Sequence, residues 1–336
     1  MKLNRKIKEL CFLTLLLIPG IASASFTERT FCVWDPIGAN GPFSTLMEEM
    51  KVKVLKWGVK LKIRAYTDET IASNDFKAGQ CDAVAVTEMS SRDYNTFTGS
   101  IGAVGALPTL KDLNMMLKVL AQPKAAKHMV EGDFEVGGIL PVGPIYTFVT
   151  DRSIDTFDKF KGKKMATFDV DPVQVIMAQQ AGATPVGSSL SRFSGQFNNR
   201  AVDIAFAPAT AYLPLELYKG VEAGGGVIKR PLLQATLQII IRHEKFPEGF
   251  GQNTRTLFSS MSGEAIEFIK KVEQDIPQEH WIHVDNEATN AMDDVFRASR
   301  ISLRDKGLYN PKTLTLMRKV RCKHNPGNVE CTEKTE

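Results

Sequence analysis

This chain of 336 residues lacks every compact signature of catalysis or metal binding. It has no C-x-x-C, no H-E-x-x-H, no G-x-S-x-G, no P-loop and no dinucleotide fingerprint. Their absence excludes the local hallmarks of structural zinc, zinc peptidases, α/β hydrolases and nucleotide-binding enzymes. Histidine is scarce, and only His280-Trp281-Ile282-His283 brings two together. With no carboxylate at ligand spacing beside it, that pair reads as a turn between helices. No catalytic residue, metal or cofactor is expected.

An excess of one charge is missing too. The net charge is +4, but Lys2, Arg5, Lys6 and Lys8 against Glu9 put most of it in the first 24 residues. The remainder, close to neutral, offers no electrostatic footprint for nucleic acid. A long apolar run is also absent: Leu10 to Ile18 falls well short of the roughly 20 residues that a bilayer span needs. Preceded by the basic start and followed by Ala22-Ser23-Ala24, this run completes a cleavable secretory leader, residues 1–24, with cleavage near Ala24. Cys11 lies too early in it to be an acylated lipobox cysteine. A monomeric periplasmic protein of roughly 310 residues is expected, long enough for two lobes.

Four cysteines remain, an even number suited to an oxidising compartment. Cys32 lies in the first strand and Cys81 opens a later one, so a bridge between neighbouring strands is expected there. Cys322 and Cys331 enclose Asn325-Pro326-Gly327-Asn328 and should close a small, polar, loop-like tail from Arg321 onward.

What is present is an alternation of strand-like and helix-like runs. Phe31–Asp35, a helix over 42–57, Leu61–Tyr66, a helix near 71–78 and Asp82–Val86 form one cycle. A second begins near Val142, with Ile145–Thr150, Lys164–Phe168, a helix, Pro185-Val186, another helix and Val202–Phe206. Thr236–Ile241 and two amphipathic helices, 264–275 and 286–303, follow. Such alternation predicts an α/β protein with mixed or parallel sheets flanked by helices and a cleft between lobes. The expected division is 25–143 and 242–320 for one lobe, 144–241 for the other, and 321–336 for the tail, the lobes being joined by crossing strands.

Local chemistry supports the second cycle. Asp171 can cap a helix, Pro172 suits its first position and Gly182 suits the left-handed residue beyond its end. Val173, Ile176, Met177 and Ala181 then share one face. The two cycles also echo one another: "FKAGQCDAVAV" (76–86) and "FNNRAVDIAFA" (197–207) each place a Phe six residues before an Asp that opens a short apolar strand.

Residues 152–212, "RSIDTFDKFKGKKMATFDVDPVQVIMAQQAGATPVGSSLSRFSGQFNNRAVDIAFAPATAY", resemble the second lobe of the solute-binding subunits of tripartite ATP-independent periplasmic transporters. Phe160-Lys161-Gly162-Lys163-Lys164, Gly182-Ala183-Thr184-Pro185-Val186 and Val202-Asp203 through Pro208 carry the match. The resemblance implies a two-lobed, type II-like periplasmic binding-protein fold that closes on a small molecule and delivers it to a membrane permease. It departs where the family holds a ligand carboxylate: the usual arginine aligns with Ala166 and the usual asparagine with Ala207. A buried carboxylate needs a cation or several donors, so a ligand less polar than the family norm is expected.

Open α/β sheets bind ligands beyond the carboxyl ends of their strands. This makes Trp34, Asp35, Asn40, Thr87, Glu88 and Met89 candidates in the first lobe, and Tyr146, Phe168, Asp169, Phe206 and Ala207 in the second. Arg192 is a candidate relocated cation, or else a solvated surface arginine. Trp34 is balanced between ligand contact and core packing, Asp35 serves equally as a turn cap, and Glu88 is expected to be solvated. The functions consistent with these features are delivery of a solute to a permease, delivery of an apolar or lipid-like ligand to an envelope efflux or transport complex, ligand sensing for a membrane receptor and, less favoured, an enzyme on the same scaffold.

Overall fold

In a computed structural model, residues 26–169 and 171–336 are described; the expected leader and its cleavage site lie outside them. The described residues form ten strands: β1 (Thr27–Trp34), β2 (Val59–Tyr66), β3 (Ala83–Thr87), β4 (Val130–Glu131), β5 (Phe134–Val149), β6 (Lys164–Phe168), β7 (Thr184–Ser188), β8 (Ile204–Pro208), β9 (Gly226–Arg242) and β10 (Trp281–Ile282). They join in the order β2-β1-β3-β9-β5-β8-β6-β7, with β10 beside β9 and β4 beside β5.

The order is internally symmetric. Parallel β2-β1-β3 is completed by antiparallel β9, and parallel β7-β6-β8 by antiparallel β5. Burial follows position: β3 is buried throughout, as a central strand covered on both faces should be, whereas edge strand β2 alternates buried Val59 and Leu61 with exposed lysines. The sequence echo has a physical counterpart. Phe76 and Phe197 are both fully buried, and Asp82 and Asp203 each accept a backbone N–H from the neighbouring strand, from Thr30 at 2.9 Å and Lys164 at 2.8 Å.

The crossing strands are much longer than expected, β5 starting at Phe134 rather than Ile145 and β9 at Gly226 rather than Thr236. Gly137, Gly138, Pro141 and Gly143 read as strand breakers, but the ladder accommodates them with register shifts at Val136/Gly138, Pro141/Gly143 and Ile145/Thr147. Gly138 is also a close-approach position, since a Cβ there would meet the Phe258 ring at 2.1 Å. The expected lobe boundaries fall within β5 and at the end of β9.

Three further expectations differ. The helix expected over 264–275 begins at Phe250 and continues to Val272. Its first half, rich in Gly, Thr and Ser, has poor intrinsic propensity that packing on β5 overrides. The tail is not loop-like: the helix Pro311–His324 runs through Cys322, a short helix spans Glu330–Glu333, and Arg321, Glu330 and Glu336 are buried. Arg321 bonds Glu330 and Glu336 at 2.6 and 2.7 Å, and Arg300 reaches Glu336 at 2.5 Å, so the polar sequence is an internal ion-pair network. His280 and His283 flank β10 rather than a turn between helices; His280 pairs with the Tyr212 hydroxyl at 2.8 Å. Both expected disulfides, Cys32–Cys81 and Cys322–Cys331, are present.

Candidate ligand cavity

A cavity of about 330 Å³ lies beyond the carboxyl ends of strands from both halves of the sheet, lined by Trp34 of β1, Thr87 of β3, Phe168 of β6 and Pro208 of β8. Aliphatic and aromatic side chains make most of its wall. Ile37 and Phe268 belong to that wall yet are 50% and 58% exposed, so solvent reaches the cavity past apolar side chains. Among the described lining residues Arg92 is the one base, and Glu88 and Asp171 are the two acids.

These three groups are arranged asymmetrically. Arg92 Nη1 donates to Asp171 Oδ1 at 2.7 Å, and its guanidinium lies over the Tyr309 ring at 5.5 Å. The same Asp171 oxygen accepts the Val173 N–H and caps the helix Pro172–Gln180, as its sequence position predicts. Glu88 instead faces a backbone: its Oε2 accepts the Thr236 N–H of β9 at 2.7 Å and the Thr236 hydroxyl at 3.3 Å. Glu69 stands behind it, accepting the Thr87 N–H and hydroxyl at 2.5 and 2.7 Å. Burial pushes the Glu69 and Glu88 carboxyls up to about 7.

The expected site residues separate into two groups. Trp34, Thr87, Glu88, Met89, Phe168 and Phe206 line the cavity. Glu88 is 3% exposed, not solvated, because β9 runs beside β3 and continues past its end, where Thr236 meets the Glu88 carboxylate. The others lie elsewhere. Asp35 is wholly buried and accepts the N–H groups of Ile37, Phe43 and Ser44 at 2.8–2.9 Å, which fixes the turn and the start of the helix Pro42–Leu55. Asn40 is exposed. Tyr146 packs edge-on against Trp281 at 5.0 Å, and Ala207 lies in the same core cluster. Asp169 and Arg192 are paired with each other at 3.5 Å on the surface, the Arg192 side chain being 65% exposed. Ala166 is buried in the core of the second half, outside the cavity lining.

Sequence reasoning missed Arg92, Thr236 and Tyr309. Arg92 lies in an unremarkable "SSRDY" stretch whose partner is 79 residues away. Thr236 lies at the start of the expected strand, so its meeting with Glu88 depends on the register of β9. A signal existed only for Arg92: it lies four residues beyond Glu88, the spacing of neighbours on a helix.

Comparison with known proteins agrees with this architecture. Residues 47–336 match the family model described as Solute-binding protein AdeT 1/2. A protein described as "Probable solute-binding protein AdeT1", from Acinetobacter baumannii, is 40% identical over 300 residues, covering 89% of this chain and 98% of that one. Two crystal structures of periplasmic solute-binding proteins of tripartite ATP-independent transporters share the fold. One, from Ralstonia eutropha H16 with bound (S)-2-acetolactate, has a TM-score of 0.71 at 13% identity, over 88% of this chain and 99% of that one. The other, from Haemophilus influenzae with bound L-gulonate, has a TM-score of 0.70 at 14% identity, over 87% and 99%.

Proposed function

The chain belongs to the AdeT 1/2 family of solute-binding proteins, and we propose that it captures a largely apolar small molecule between its lobes and presents it to a membrane transport system. One observation carries this reading: the cavity wall is apolar and its one described base, Arg92, is already matched by Asp171. The acetolactate and gulonate held by the two structural neighbours are carboxylates. A carboxylate in this cavity would lose its water without gaining a free cation, which costs several kcal/mol. Trp34, Met89, Phe168 and Phe206 are then the apolar contacts. The periplasm is the compartment that the leader and the disulfides suit.

Binding without turnover is the activity this reading requires. The test is mass spectrometry of whatever is released on denaturing protein purified from its native envelope, followed by re-addition of that compound in a thermal-shift assay. A largely apolar compound, recovered intact and raising the unfolding temperature, is expected. Recovery of a small dicarboxylate or a sugar acid, or conversion of the added compound, would overturn the reading.

A further inference from the structure

We propose that the polar end of the ligand is a protonated amine seated against the carboxylate of Glu88. The inference rests on the apolar-cavity reading and adds the sign of the charge. Asp171 is neutralised by Arg92, so Glu88 is the lining carboxylate without a cation of its own among the described residues. A carboxylate offers about four lone-pair positions. Thr236 occupies Oε2, while Oε1 accepts no hydrogen bond from another described residue. The group is also held in place, because Gly102 opposite it leaves no spare room: a Cβ there would meet the Glu88 Cγ at 2.6 Å.

The remaining wall suits a cation with an apolar body. Trp34, Phe43, Phe168, Phe193 and Phe206 bring aromatic rings to the cavity, and ring faces attract ammonium groups. An anion would meet the opposite: a carboxylate at Glu88 and a guanidinium already engaged. The charged and titratable groups around Glu88 are Glu69 behind Thr87, Arg92 one helical turn along, Asp171 beyond Arg92, and Tyr309 beneath the guanidinium. With Glu88 titrating near 7, the site is ionised above neutrality and largely protonated below it, while an alkylamine remains cationic throughout that range.

Three probes of one shape separate the possibilities: 4-phenylbutylamine, 4-phenylbutan-1-ol and 4-phenylbutyrate, titrated calorimetrically into the intact protein. At pH 8 the amine should bind about tenfold or more tighter than the alcohol, the scale of a charge-assisted hydrogen bond, and the carboxylate weakest. Lowering the pH from 8 to 6 should erode the amine's advantage. Glu88→Gln should bring amine and alcohol to equal affinity at pH 8. An amine no tighter than the alcohol, a preference for the carboxylate, or an amine preference that survives Glu88→Gln would overturn this inference and leave the apolar reading standing. Binding by none of the three would overturn the apolar reading, and this inference with it.

Discussion

Arg92, just beyond the end of β3, and Asp171, at the cap of the helix Pro172–Gln180, meet at 2.7 Å across the cavity, with only 11% and 6% of their side chains exposed. Breaking one half of such a pair strands a buried charge, whereas removing both charges is far less costly. Asp171→Asn keeps the capping oxygen and removes the charge, so it should lose about 3 kcal/mol or more of stability. The double variant Arg92→Met with Asp171→Asn should recover most of that loss. Urea unfolding of the four members of the cycle measures it; equal losses in the single and double variants would refute the pairing.

Glu69 and Glu88 predict an inverted pH dependence. Burial raises both from the ordinary carboxyl value of 4.5 to about 7. Between those values the folded chain keeps protons that the unfolded chain releases, so their contribution to stability falls as pH rises through this window and levels off above it. The effect is on the order of 3 kcal/mol per group. Glu330 runs the other way: burial raises it, but the hydrogen bond from Arg321 and the charges of Arg321, Arg300 and Arg297 together outweigh burial and lower it. The measurement is therefore a difference: from pH 5 to pH 8, wild type should lose more stability than Glu69→Gln or Glu88→Gln. Parallel curves would contradict the assignment.

Ala166→Arg restores the residue type that the transporter family uses, but in a packed core. Ala166 is 3% exposed among Phe168, Phe193 and Phe197. An arginine there lacks both room and a counter-ion, and a loss of 3 kcal/mol or more, roughly the cost of an unpaired buried charge, is expected. Thermal unfolding reads the loss, and titration with succinate should show no gained affinity. A stable variant that binds succinate would sink this prediction.

The two disulfides should differ in weight because they close loops of different length. Cys32 and Cys81 are 49 residues apart, Cys322 and Cys331 only 9. On the chain-entropy model, replacing the first pair by alanines should cost about 4 kcal/mol and the second between about 2 and 3 kcal/mol. Guanidinium unfolding of the two double-alanine variants gives the comparison, and a larger cost for the tail bridge would reverse it.

Most of the architecture was legible because local and global signals agree. The β1, β3, β6 and β8 strands carry short apolar runs between capped helices, and the repeated Phe-to-Asp spacing marks the same junction in each half. The crossing strands were cut short because Gly137, Gly138, Pro141 and Pro231 look like punctuation when the ladder that absorbs them is out of view. The cavity was half legible. Strand-end position pointed to Trp34, Thr87, Glu88, Met89, Phe168 and Phe206, since that follows from topology. The pairing of the polar groups was not, and Glu88 was expected to be solvated, because Glu88 meets Thr236 and Arg92 meets Asp171 only through contacts spanning 148 and 79 residues.

The long pairing of β5 with β9 has a practical consequence for dissecting this protein. Each strand gives one end to the first half and the other end to the second, Ile240 pairing with Val84 while Thr147 of β5 pairs with both Ile228 and Phe206. A cut at either expected lobe boundary would leave severed backbone ladders and bare apolar edges on both fragments. Neither half is a module to be expressed, swapped or fused by itself. Sensors built on this scaffold should place their reporters at surface loops of the intact chain.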